Sequence, residues 1–245
     1  MRFASRARPY LLRRDFVAIR QNVRVSFDRR SVLRYSLSVA IPVGGYGAVF
    51  GAAAVSSGFS VLQACVLSLF LFSGASQFAV VGVMGAGGSV ISAIATGALL
   101  GVRNSFYGLR MSPILQISGV RKLIDSHITI DESTGVAISQ ENLGKDAMRY
   151  AFYVTGLGVF FFWNLFTLLG ALSANSIGNP ATFGLDAAVP AAFLGLIWPR
   201  LTTKETRIAA LIAILVALLL TPILPPGIPI IATVLIAVFM GWNAK

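Results

Sequence analysis

From Tyr35 to Val102 the chain carries no Asp, Glu, Lys, Arg or His. At about 1.5 Å per helical residue, that stretch is long enough to cross a hydrocarbon core of about 30 Å roughly three times. Charged residues return from Arg103 to Arg149, disappear from Tyr150 to Leu185, and disappear again from Ile208 to Ala244. Apolar blocks separated by polar stretches predict an all-α, polytopic transmembrane bundle with six or seven membrane segments.

The first segment is predicted over 35–57, where Pro42, Gly44, Gly45, Gly47 and Gly51 allow a kink and close approach of a neighbouring helix. The second, over 59–83, is apolar but interrupted by Ser73-Gly74-Ala75-Ser76-Gln77-Phe78, and reads as a broken or re-entrant helix. A third follows over 89–109, then a polar connector over 111–148. The second half offers 149–172, a short 185–199, 203–221, and 227–242 after Pro222, Pro225 and Pro226.

Parity sharpens this count. If every segment crossed fully from a cytoplasmic N-terminus, the Arg121-Lys122 loop and the loop with Arg200, Lys204 and Arg207 would face outward, against the positive-inside bias. If 59–83 enters, breaks and returns, both loops join the N-terminal arm on the cytoplasmic side. The uncharged 173–182 connector and the proline turn then face outward. An additional crossing elsewhere restores the same parity.

Composition agrees with the pattern: of 245 residues, 56% are hydrophobic and only 12% charged, with mean hydropathy +0.79, outside the soluble range. A net charge of +11 in a soluble chain points to nucleic acid, but ten of the twenty Lys and Arg lie in residues 1–34. Their place ahead of the first span reads as a positive-inside signal and a contact for anionic lipid rather than nucleic acid. The competing reading is a solvated tail, and an Arg-rich, acid-poor transit peptide is a minor alternative to both. The domain division is thus a basic cytoplasmic arm, 1–34, and one transmembrane transport domain, 35–245. One cysteine, Cys65, and one histidine, His127, leave no basis for a disulfide, a metal cluster or a cofactor.

Two readings stand for most polar residues inside the apolar blocks. Non-helical backbone at membrane depth requires protein or a water-filled cavity to satisfy it, so the break at Ser73 to Gln77 marks a candidate binding site. Its free N–H groups and positive dipole end suit an anionic group; a small-residue packing face is the alternative. Asp186 is either an intramembrane carboxylate or a helix cap ahead of Pro190. Arg103, on one helical face with Tyr107 and Arg110, either snorkels or pairs with Asp131 or Asp186. Gly74-Ala75-Ser76 has the form of an intramembrane protease Gly-x-Ser, but the sole histidine lies in the polar connector, which disfavours an enzyme.

Taken together, Ser73 to Phe78 and Arg103 to Gly108 resemble the hallmark region of AzlC-type branched-chain amino-acid permeases. Ile130-Asp131-Glu132-Ser133 resembles that family's Thr-Asp-Glu element. Gly184-Leu185-Asp186, Val189 to Phe193 and Pro199-Arg200-Leu201 are similar to the segment preceding its last two helices. The chain departs from the family at Gly101 and Asn104, where Asn and His are frequent. The resemblance covers 35–243 and implies a secondary exporter of valine, leucine or isoleucine in the inner (plasma) membrane, paired with a small AzlD-type subunit. A non-transporting scaffold and a transporter of another amphipathic solute are the alternatives. The substrate-binding candidates are Ser73, Gly74, Ala75, Ser76, Gln77, Phe78, Arg103, Tyr107, Asp186 and Pro190, with Asp131 and Asp186 as candidate proton carriers.

Overall fold

A computed structural model describes residues 27–177 and 187–243. Within them the regular structure is helical: α1 Arg29–Ser56, α2 Val61–Phe70, α3 Gly74–Gly85, α4 Val90–Leu115, α5 Arg121–His127, α6 Asp131–Ser139, α7 Lys145–Ile177, α8 Ala188–Ile197, α9 Lys204–Leu220 and α10 Ile228–Asn243. The Asp186 candidate, the 178–186 loop and residues 1–26 of the arm lie outside the described residues.

Helix α1 starts earlier than the apolar pattern predicts because Asp28 caps it, its carboxylate accepting from the Arg30 N–H at 3.0 Å. Arg29, Arg30 and Arg34 therefore belong to the first helix. Helices α1 and α7 are each long and apolar enough to cross a hydrocarbon core.

These two helices run parallel and close together. Phe27 meets the Tyr150 ring at 5.8 Å near their starts, and Gly51 meets Thr167 further along both. A Cβ on Gly47 would collide with the Trp163 carbonyl, and one on Gly170 with that of Ala48. Small residues thus let two backbones touch, the packing that substitutes for a hydrophobic driving force in lipid.

Between these parallel helices the chain makes two short hairpins pointing in opposite directions. Helix α2 is set by a reciprocal cap, Ser60 and Gln63 each accepting from the other's backbone N–H at 3.2 and 2.8 Å. Residues 71–73 then break the helix, and α3 returns alongside α1. Phe78 packs edge-on to Phe50 at 5.6 Å, and a Cβ on Gly85 would lie 2.7 Å from the Ser57 hydroxyl. Both ends of this hairpin are therefore at the end of the bundle where α1 finishes.

Helix α4 carries the chain to the opposite end. Gly97 packs on Val80 and Gly101 on Ser76, so α4 is antiparallel to α3. The Arg149 side chain donates to the Ile114 carbonyl at 2.7 Å, placing the end of α4 beside the start of α7. From there α5 enters the bundle, residues 128–130 break, and α6 returns; Val136 packs with Val32 and Ala151 near the starts of α1 and α7.

The polar connector expected over 111–148 is thus partly internal. Three of its four buried polar residues find partners inside: Ser133, fully buried, donates to the Ile128 carbonyl at 2.7 Å, Thr129 donates to the Asp125 carbonyl at 2.6 Å, and Tyr153 donates to buried Asp125 at 2.9 Å, while the Thr134 hydroxyl has no partner among the described residues. Helices α9 and α10 form an antiparallel pair whose turn, at Gly227, rests on Ser92 and Val83. The end of the bundle shared by Ser57, Gly88 and Gly227 carries no charged residue in 57–60, 83–92 or 220–228.

Candidate functional site

The two hairpin tips meet in the middle of the bundle. His127, the last residue of α5, sits 2.9 Å by its Nε2 from the Leu69 carbonyl in α2. Its ring packs against Phe72 at 5.8 Å and Phe160 at 5.6 Å. Beside this junction the first turns of α3 and α6 border one cavity of about 110 Å³, with room for several waters or part of a small solute.

The α3 side of the cavity is built from donors. Gly74 and Ala75 line it, and the first intrahelical bond of α3 is from Gln77 N–H to the Ser73 carbonyl at 3.0 Å. Ser73 contributes no side-chain cap, so the N–H groups of the first turn remain open. Trp163 and Arg103 line the same space, and the buried Trp163 Nε1 and Arg103 Nε have no partner among the described residues. A half-helix N-terminus, an indole N–H and a guanidinium together favour an anionic group.

Facing them, α6 contributes Asp131 and Glu132. One Asp131 oxygen holds two arginines, Arg200 at 2.8 Å and Arg103 at 3.5 Å. Glu132 forms no ion pair among the described residues. It lines the cavity with part of its surface while protein encloses the rest. Apolar walls come from Val43, Phe78 and Val159, with the exposed-side rim at Tyr46.

The predicted candidates divide accordingly. Gly74, Ala75, Phe78, Arg103 and Asp131 line the cavity. Ser73 is buried at the break and accepts from Ser76 at 3.3 Å, while Ser76 packs on Gly101 of α4. Gln77 is fully buried, neither of its side-chain polar atoms has a partner among the described residues, and it lies outside the cavity wall. Tyr107 is half-buried and Pro190 exposed, neither of them lining it. The break itself falls at 71–73, so Gly74 to Gln77 form the first turn of α3.

Glu132 was named from the sequence only within the Ile130 to Ser133 element and given no role at the site, and Trp163, Tyr46, Val43 and Val159 were not singled out. An acidic pair between two short apolar stretches, Ile128 and Ile130 on one side and Val136 to Ile138 on the other, was the available signal for Glu132. The protease arrangement is not formed: Ser76 Oγ faces Ser73 and Gly101, and His127 Nε2 is engaged with Leu69. Among the described residues no group of three or more His, Cys, Asp or Glu is placed to hold a metal ion.

Residues 38–177 match the family model described as AzlC protein. That span contains both hairpins and every cavity residue named above. The chain is also 29% identical over 191 residues to an uncharacterized membrane protein of Archaeoglobus fulgidus, covering 74% of this chain and 79% of that one. No solved structure matches.

Proposed function

Since the chain belongs to the AzlC family, we propose that it is the large subunit of a two-component permease that exports branched-chain amino acids. The observation that carries this reading is the cavity between two opposed half-helix tips, with donors on one wall and carboxylates on the other. A zwitterionic amino acid fits that polarity. Its carboxylate sits at the α3 N-terminus with Arg103 and the Trp163 N–H, its ammonium faces α6, and its branched side chain rests on Val43, Phe78 and Val159.

The same arrangement supports a membrane topology. The hairpin α2–α3 re-enters from outside and the hairpin α5–α6 from the cytoplasm, so the N-terminal arm and the Arg121, Arg149 and Arg207 regions are cytoplasmic. The location is the inner (plasma) membrane, with the basic arm against anionic lipid. Alternating exposure of the cavity then moves solute as the paired hairpins shift.

The test is efflux of preloaded radiolabelled leucine or valine from cells expressing this chain, a co-encoded small AzlD-type membrane partner, or both. Faster efflux only with both supports a two-subunit exporter. No change for any branched-chain amino acid contradicts the substrate assignment and favours another amphipathic solute or a scaffold.

A further inference from the structure

We propose that Glu132 is the coupling residue of the transport cycle: it binds either a proton or the ammonium group of the solute, and so exchanges one for the other. This rests on the transporter reading and adds a chemical mechanism to it. The geometry points to Glu132 rather than Asp131 because Asp131 already bridges Arg103 and Arg200 through one oxygen. Its charge is committed, whereas Glu132 lines the same cavity with no arginine in ion-pair range among the described residues.

The charged and titratable groups around Glu132 come from several elements. Asp131 lies on its own helix, Arg103 comes from α4, and Tyr46 from α1 lines the shared cavity. Arg200, from the turn after α8, reaches the group only through Asp131. The cavity-lining residues of α3 and α7, Gly74, Ala75, Phe78, Val159 and Trp163, are not titratable. Counting the two arginines and Asp131, the fixed groups carry one net positive charge, which an ionised Glu132 neutralises.

That balance gives the exchange its logic. An ionised Glu132 attracts an ammonium and holds the solute; a protonated Glu132 presents a neutral acid and releases it. The proton comes from water on one side of the membrane and leaves to water on the other, with no other bond made or broken. Because the ammonium and the proton compete for one carboxylate, inward proton movement is tied to outward solute movement.

Two arms test this on the full chain, and they fail separately. In the first, without any solute, Trp198→Phe and Trp242→Phe leave Trp163 as the sole indole, and its fluorescence is titrated from acid to alkaline pH. The proposal predicts a single transition that Glu132→Gln abolishes and Glu132→Asp retains at a displaced midpoint. A transition unchanged by Glu132→Gln, or none in the protein with Glu132 intact, overturns it. Glu132→Asp keeps the test decisive should the Gln variant not fold.

In the second arm, proteoliposomes carrying the chain with its small partner are given an imposed pH gradient and radiolabelled leucine. With the membrane potential clamped at zero, since each exchange moves one net charge, one-for-one exchange across a gradient of about one pH unit sustains a leucine ratio of about ten, because one unit is a tenfold proton ratio. Glu132→Gln brings that ratio to unity. A gradient-driven ratio that survives in Glu132→Gln contradicts the proposal. If the fluorescence transition behaves as predicted but leucine does not move, the substrate assignment fails and the proton site stands.

Discussion

The Nε2 of His127 and the carbonyl of Leu69, fifty-eight positions apart in sequence, meet at 2.9 Å and join the two hairpin tips. Each hairpin enters from its own end of the bundle, so this contact fixes their relative depth. Replacing His127 with Ala leaves the Leu69 carbonyl unpaired and removes the ring between Phe72 and Phe160. Because Leu69 is exposed, a loss of about 0.5–1.5 kcal/mol, the net worth of one hydrogen bond, is expected, read as a lower melting temperature in detergent. An unchanged melting temperature would show that the tips are held by other contacts.

Glycine substitutions along α1 test the parallel contact with α7. Gly47→Ala forces a Cβ into the Trp163 backbone and is expected to destabilise by about 1–3 kcal/mol, the usual cost of overpacking. Gly45 has nothing within 4 Å of a Cβ, so Gly45→Ala is neutral or stabilising by about 0.5–1 kcal/mol. Thermal unfolding of the two variants should diverge in opposite directions. Equal effects would contradict the packing described.

Arg103 and Arg200 share Asp131 but differ in setting. The Arg103 side chain is 29% exposed and lines the cavity, whereas that of Arg200 is 57% exposed. Arg200→Ala should change stability by no more than about 1 kcal/mol, as for other exposed pairs. Arg103→Ala should lower leucine flux at least about tenfold, the loss of about 1.4 kcal/mol of useful interaction. Parallel flux measurements check this; a larger flux defect in Arg200→Ala would reverse the assignment.

Topology is open to labelling. With Cys65 replaced by Ala, single cysteines introduced by Ser57→Cys and Gly88→Cys should react with an impermeant maleimide from the same side of the membrane, and Thr202→Cys from the other. Labelling of Ser57→Cys and Gly88→Cys from opposite sides would mean that α2 and α3 form one crossing.

The segments around the first hairpin were legible in the sequence because the break is written in small polar residues inside an otherwise apolar run. The placement of Gly74, Ala75 and Phe78 beside the cavity followed from that. The second hairpin was not legible, since Asp125, Thr129, Ser133 and Thr134 look like solvated connector residues. Backbone carbonyls four and five residues back satisfy Thr129 and Ser133, but Asp125 takes its hydrogen bond from Tyr153, twenty-eight positions on, a partner that no local pattern reveals. Trp163 was hidden for the opposite reason, as one aromatic residue among many in α7, and its role depends on parallel packing against α1.

The central claim is that solute occupies the cavity between the two half-helices, and Gly74 gives the most direct access to it. A Cβ there already lies 3.0 Å from the Trp163 ring, so Gly74→Leu fills the space. Leucine efflux by the chain with its small partner should fall to background in Gly74→Leu while the protein elutes from size exclusion as the unsubstituted chain does. Undiminished efflux in a folded Gly74→Leu variant would place the solute path elsewhere.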